Sequence, residues 1–141
     1  MKYLAIDPGS SGGFVFEFDG RITSGSNEII AETDFPSDTI VVIEKVPPFV
    51  GRAIPSSSSF KLGYSFGWLV GLFQGRGHKV VLVSPQTWQK TMGVGTKGSL
   101  TTSQWKNKLK AEAQRRYPNQ TITLATADAF CLLDHAKQHN L

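Results

Sequence analysis

The sequence predicts an α/β fold. Three observations lead there. The first 46 residues break into short strand-like segments, and the run at 39–46 is almost wholly apolar, as in a strand covered on both faces. The remaining residues alternate one further strand with stretches of helical periodicity. At 141 residues the chain can bury roughly two-thirds of the surface its unfolded form exposes. A single domain over 1–141 is therefore expected, needing neither disulfides nor a structural metal to fold.

The elements follow in order. Residues 2–6 form a short apolar run that ends at Asp7, and 13–18 alternate Phe14, Phe16 and Phe18 with Val15 and Glu17, so both read as strands. Asp19-Gly20 then signals a two-residue hairpin into a third strand opening at Arg21. The fourth strand, 39–46, carries Glu44 inside its apolar run and is stopped by Pro47-Pro48. The stretch through Pro55 and Ser56 to Ser59 has loop composition and leads to a helix over about 60–74. Ser59, Gly63, Gly67, Gly71 and Gly75 fall four apart on one face of it. Each helical Gly costs about 1 kcal/mol relative to Ala. A compensating close contact is thus expected, either packing within the monomer or an interface with a second copy.

Residues 78–83 are a fifth strand, and Ser84-Pro85 supplies an N-cap and a first-turn proline for a short helix to about Lys90. A Gly-rich loop at 93–99 follows. Thr102 or Ser103 then caps a helix to about Tyr117, on which Trp105, Leu109 and Ala113 form an apolar stripe. Pro118 ends it. The stretch 121–124 looks strand-like, and a last helix is expected over about 125–139. Trp88 and Trp105 read as core residues.

Charge is unevenly distributed. Residues 1–46 hold eight acids and three bases, a balance of −5, whereas residues 47–141 hold twelve bases and three acids, a balance of +9. A polyanionic partner for the second half, or simply a solvated basic helix, would produce that pattern. Apolar runs are far shorter than the roughly 18 residues of a membrane span. Asp7 arrives too early for a secretory signal, and the lone Cys131 leaves no disulfide to form. These features predict a protein without membrane anchoring, working in a reducing cytoplasm.

Three acids stand where the surrounding sequence does not want them. Asp7 ends a strand, Glu44 interrupts Ile40-Val41-Val42-Ile43, and Asp128 lies among Ala125, Ala127, Ala129 and Phe130 on a core-facing helix. Lone buried carboxylates are expensive, and a divalent cation relieves their mutual repulsion. Oxygen ligands without His or Cys pairs point to Mg²⁺ or Mn²⁺ rather than Zn²⁺.

Four ordered segments carry a resemblance. Ala5-Ile6-Asp7-Pro8-Gly9-Ser10-Ser11-Gly12-Gly13, Val42-Ile43-Glu44-Lys45-Val46, Val83-Ser84-Pro85-Gln86-Thr87-Trp88-Gln89-Lys90 and Ala125-Thr126-Ala127-Asp128-Ala129 resemble the RuvC-type Holliday-junction resolvases. The likeness is to the short phage and prophage members and the related chloroplast resolvases, so a bacterial or phage-infected cell, or an organelle, is the expected setting. The resemblance implies a ribonuclease H-like fold with a mixed five-stranded sheet flanked by helices, and a homodimer that nicks two strands of a four-way DNA junction. It implies two Mg²⁺ held by Asp7, Glu44 and Asp128, with Asp7 bridging, and products bearing a 5′-phosphate and a 3′-hydroxyl. Bacterial relatives carry a further acid or His one turn before the last aspartate. Here Leu124 and Ala125 stand at those positions. His135, seven residues after Asp128, shares its helical face but is expected to face solvent or the helix C-terminus, and Asp134 to be a surface acid.

Expected DNA contacts are Lys97 in the Gly-rich loop and Lys106, Lys108, Lys110, Arg115 and Arg116 on the following helix, with Ser10 and Ser11 nearer the acids; Lys90 is either a further DNA contact or a surface lysine near a helix end. Phe49 is the candidate aromatic for stacking at the crossover, with Phe60 as its rival. A non-catalytic module that binds branched DNA with the same surface is the alternative to a nuclease. An actin-like ATPase, whose first strand also ends in Asp-x-Gly, would need two such domains.

Overall fold

The first three strands form an antiparallel meander because each is a short alternating run joined by tight turns. β1 (Lys2–Ile6) pairs with β2 (Gly13–Phe18), and β2 pairs with β3 (Arg21–Ser26) in a register that sets Phe18 opposite Arg21. Asp19 and Gly20 both take the left-handed conformation at φ 49° and 81°, as a hairpin turn matching the strand twist requires. The structure is a computed structural model and describes residues 1–47 and 54–141.

A 3₁₀ helix at Asn27–Glu32, not anticipated from the sequence, follows β3. β4 (Ile40–Glu44) then adds parallel to β1, and β5 (Lys79–Val83) parallel to β4, giving the order β3-β2-β1-β4-β5. The expected mixed five-stranded sheet is present. β4 is shorter than the expected 39–46 and ends at Glu44 itself.

Helices cover both faces. On one side Leu4, Ile6, Val41 and Ile43 meet Phe14, Ile30 and, from α1 (Ser56–Gly75), Leu69 and Phe73. On the other, Tyr3, Ala5, Val15 and Val42 meet Trp88 of α2 (Pro85–Met92), Trp105 and Leu109 of α3 (Thr102–Arg116), and Phe130 and Leu133 of α4 (Ala127–Gln138). Successive residues of β1 and β4 thus enter opposite cores, which is why those strands are apolar throughout.

Four local expectations change. α1 begins at Ser56, so the serines form its first turn rather than a loop. α3 is capped by Thr101, whose hydroxyl accepts from the Gln104 N–H at 3.1 Å while Gln104 Oε1 accepts from the Thr101 N–H at 2.9 Å. Residues 121–124 form no strand, because Thr123 and Thr126 exchange side-chain and backbone hydrogen bonds that curl the chain into α4. The glycine stripe of α1 does not pack inside the chain: a Cβ at Gly63, Gly67, Gly71 or Gly75 would meet nothing within 4 Å.

Candidate metal centre

Parallel pairing of β1 with β4 places Ile6 opposite Ile43, so the next residue of each strand, Asp7 and Glu44, arrives at the same edge of the sheet. Asp128 reaches that edge from the first turn of α4. Gly13 makes this approach possible: a Cβ there would lie 2.9 Å from the Ala125 carbonyl oxygen and 2.7 Å from that of Gly25. The turn after β1 is equally tight, since a Cβ at Gly12 would sit 2.1 Å from the Asp7 carbonyl oxygen. Asn27 fastens it by donating from Nδ2 to the carbonyls of Asp7 at 2.7 Å and Gly9 at 3.2 Å.

Each of the three acids offers a carboxylate oxygen within 4.8 Å of the others. Among the described residues no fourth His, Cys, Asp or Glu joins them. They open into a cleft of about 660 Å³ that is also lined by Ser11, Gln86 and Lys106. Burial, then the charges of Glu44 and Asp128, hold the Asp7 carboxyl well above the usual carboxylate range. Burial and the neighbouring Asp128 raise Glu44 to about 7, against an opposing hydrogen bond from Trp88 and the charge of Lys106. Burial raises Asp128 as well, again opposed by Lys106. Three acids that resist ionisation together, with only oxygen donors, fit a hard divalent cation.

Trp88 is fully buried, and its Nε1 donates to Glu44 Oε2 at 2.6 Å. The sequence marked it as core, which it is, but no periodicity reveals that its one polar atom faces an acid. Asn27 was likewise missed, because an Asn after a strand reads only as a turn residue.

The predicted phosphate contacts separate in space. Lys106 stands in the acid cleft, and Ser10 and Ser11 lie in the exposed turn beside it. Lys108, two residues on, projects from nearly the opposite side of α3, as helical geometry requires. Lys97 is exposed in its loop and Lys110 is half-buried. Arg115 pairs with Glu112 at 2.6 Å, and Arg116 is committed inside the protein to Glu112 at 2.8 Å, Asp134 at 2.6 Å and the Met92 carbonyl at 3.0 Å. Asp134 is therefore an internal ion-pair partner, not a free surface acid. His135 does not face solvent: it is 4% exposed and its Nδ1 lies 2.7 Å from the Thr91 hydroxyl. Phe49 falls outside the described residues, whereas Phe60 is exposed on α1.

This architecture, with its acids at one edge of a mixed five-stranded sheet, is a ribonuclease H-like fold. Within that class it is RuvC-like. The Thermus thermophilus RuvC structure matches with a TM-score of 0.59 and 13% identity, over 99% of this chain and 97% of that one. The structure of T. thermophilus RuvC in complex with a Holliday junction substrate matches with a TM-score of 0.60 and 12% identity, over 99% and 96% of the two chains. No protein-family model and no curated protein matches the sequence.

Proposed function

We propose that the protein is a structure-selective endonuclease that resolves four-way DNA junctions by paired nicks. The observation that carries this reading is the meeting of Asp7, Glu44 and Asp128 within 4.8 Å at the sheet edge of a RuvC-like fold. The similarity to RuvC solved with a Holliday junction substrate supports branched DNA as the substrate class.

In the proposed reaction water attacks phosphorus and the P–O3′ bond breaks, leaving a 5′-phosphate and a 3′-hydroxyl. Asp7, Glu44 and Asp128 would hold two Mg²⁺, with Mn²⁺ able to substitute, and such ions activate the attacking water and stabilise the departing oxygen. Trp88 holds Glu44 in one orientation through the hydrogen bond at 2.6 Å. Lys106, in the same cleft, offsets the charge of the incoming phosphate. Ser10 and Ser11, small and exposed at the cleft rim, let the DNA backbone approach.

Symmetric nicking needs two sites, and the open face of α1 is the surface we assign to a homodimer. Phe60, Tyr64 and Trp68 are 72%, 66% and 44% exposed there, beside the uncovered glycines that allow close helix approach. Incubation of an end-labelled four-way junction with protein and Mg²⁺ tests the reading. Paired, symmetry-related nicks that disappear in Asp7→Asn support it. Tight junction binding without cleavage under Mg²⁺ or Mn²⁺ would replace it with the binding-module alternative.

A further inference from the structure

A second cleft, of about 670 Å³, lies between the outer side of α2 and the C-terminal end of α4, and both His135 and His139 line it. The two histidines are four residues apart and therefore share one helical face. Their rings lie 4.3 Å apart between centroids, inclined by 31°. Neither ring is placed at random. His139 Nδ1 lies 2.9 Å from the His135 carbonyl, which only accepts, so that nitrogen carries the proton and Nε2 keeps its lone pair. His135 Nδ1 lies 2.7 Å from the Thr91 hydroxyl, and that hydroxyl has the Thr87 carbonyl at 3.4 Å as its own acceptor. With that hydroxyl donating to Thr87, His135 takes the same tautomer, Nδ1–H donating and Nε2 free.

This is the outer hydrogen-bond pattern of metal-ligating histidines, in which the far nitrogen donates to an oxygen and fixes the ring. The spacing also fits. Two imidazoles bound through Nε2 at about 2.1 Å to one ion place their ring centroids roughly 4.5 Å apart at a right-angled bite and about 5 Å apart at a tetrahedral one. The observed 4.3 Å lies nearer the right-angled value than the tetrahedral one. We infer that His135 and His139 form a chelating site for a borderline transition-metal ion, with Ni²⁺ or Cu²⁺ favoured over Zn²⁺ by the bite and over Mg²⁺ by the nitrogen ligands. Gln86 and Lys90 of α2 and the terminal Leu141 complete the lining of this cleft. The site is chemically distinct from the acid cluster and does not depend on the nuclease reading.

Calorimetric titration of the untagged protein with Ni²⁺, repeated in excess Mg²⁺, tests the inference. A single site is expected that Mg²⁺ does not displace, that weakens at least tenfold in His139→Ala and in the gentler His139→Gln, and that is unchanged in Asp7→Asn. Because His139 is exposed, these variants should melt as the parent does. Binding that survives both His139 substitutions, binding lost in Asp7→Asn, or no binding at roughly millimolar Ni²⁺ would overturn it.

Discussion

Asp7 is held against its own chemistry. Its carboxyl sits in a buried cluster whose other members raise it further, so in the absence of a cation the residue destabilises the fold that presents it. Asp7→Asn should therefore abolish Mg²⁺-dependent cleavage while raising the melting temperature of the metal-free protein at pH 8, by a few degrees in a thermal scan. Trp88→Phe keeps a smaller aromatic ring in the core but removes the hydrogen bond that favours the charged form of Glu44. Its pH–rate profile should move to higher pH on the acidic limb, with KM for the junction little changed. An unshifted limb would mean that Trp88 only fills space. The three acids were legible in the sequence because each breaks an apolar pattern. Trp88 and Asn27 were not, since a hydrogen bond to a distant residue leaves no mark on local periodicity.

At the scale of the elements, α3 divides its basic residues between the acid cleft and the fold. Lys106 faces the acids, whereas Arg116 is fixed between Glu112 and Asp134. Lys106→Ala is expected to weaken junction binding and reduce its salt dependence by about one counterion, measured as the slope of binding against salt concentration. Arg116→Ala should leave that slope unchanged and instead cost about 3 kcal/mol in urea unfolding, because it strands the partly buried carboxylate of Asp134, while Glu112 keeps Arg115. The stripe Trp105, Leu109 and Ala113 shows in the sequence which side of the helix turns inward, but not that Arg116 is drawn out of the basic surface by Glu112 and Asp134. Residues 121–124 mislead for a related reason: threonines favour strands, yet two hydroxyls three residues apart bond locally and override that preference. The glycines of α1 share one face as their spacing shows, while that face's location outside the core depends on which side Leu69 and Phe73 bury.

Across the whole molecule, the acid cluster couples stability to pH and, on the proposed function, to divalent ions. Glu44 holds its proton up to about pH 7 when folded, against an ordinary value of 4.5. Between those values the folded state binds more protons than the unfolded state, so stability present at low pH is lost as pH rises. Melting temperature without divalent ions should fall between pH 5 and pH 8, and Mg²⁺ should restore it more at pH 8 than at pH 5. A melting temperature that rises over this range would contradict the buried-acid account.

The order of the strands has a further consequence in time. The carboxylates come from residues 7, 44 and 128, and they converge only when β1 has paired with β4 and α4 has closed over both. Contacts so distant along the chain are slow to form, and a growing polypeptide lacks the third carboxylate until nearly all of these residues have been synthesised. On the proposed function, cutting competence would thereby be withheld from nascent and partly folded chains until all three carboxylates are in place.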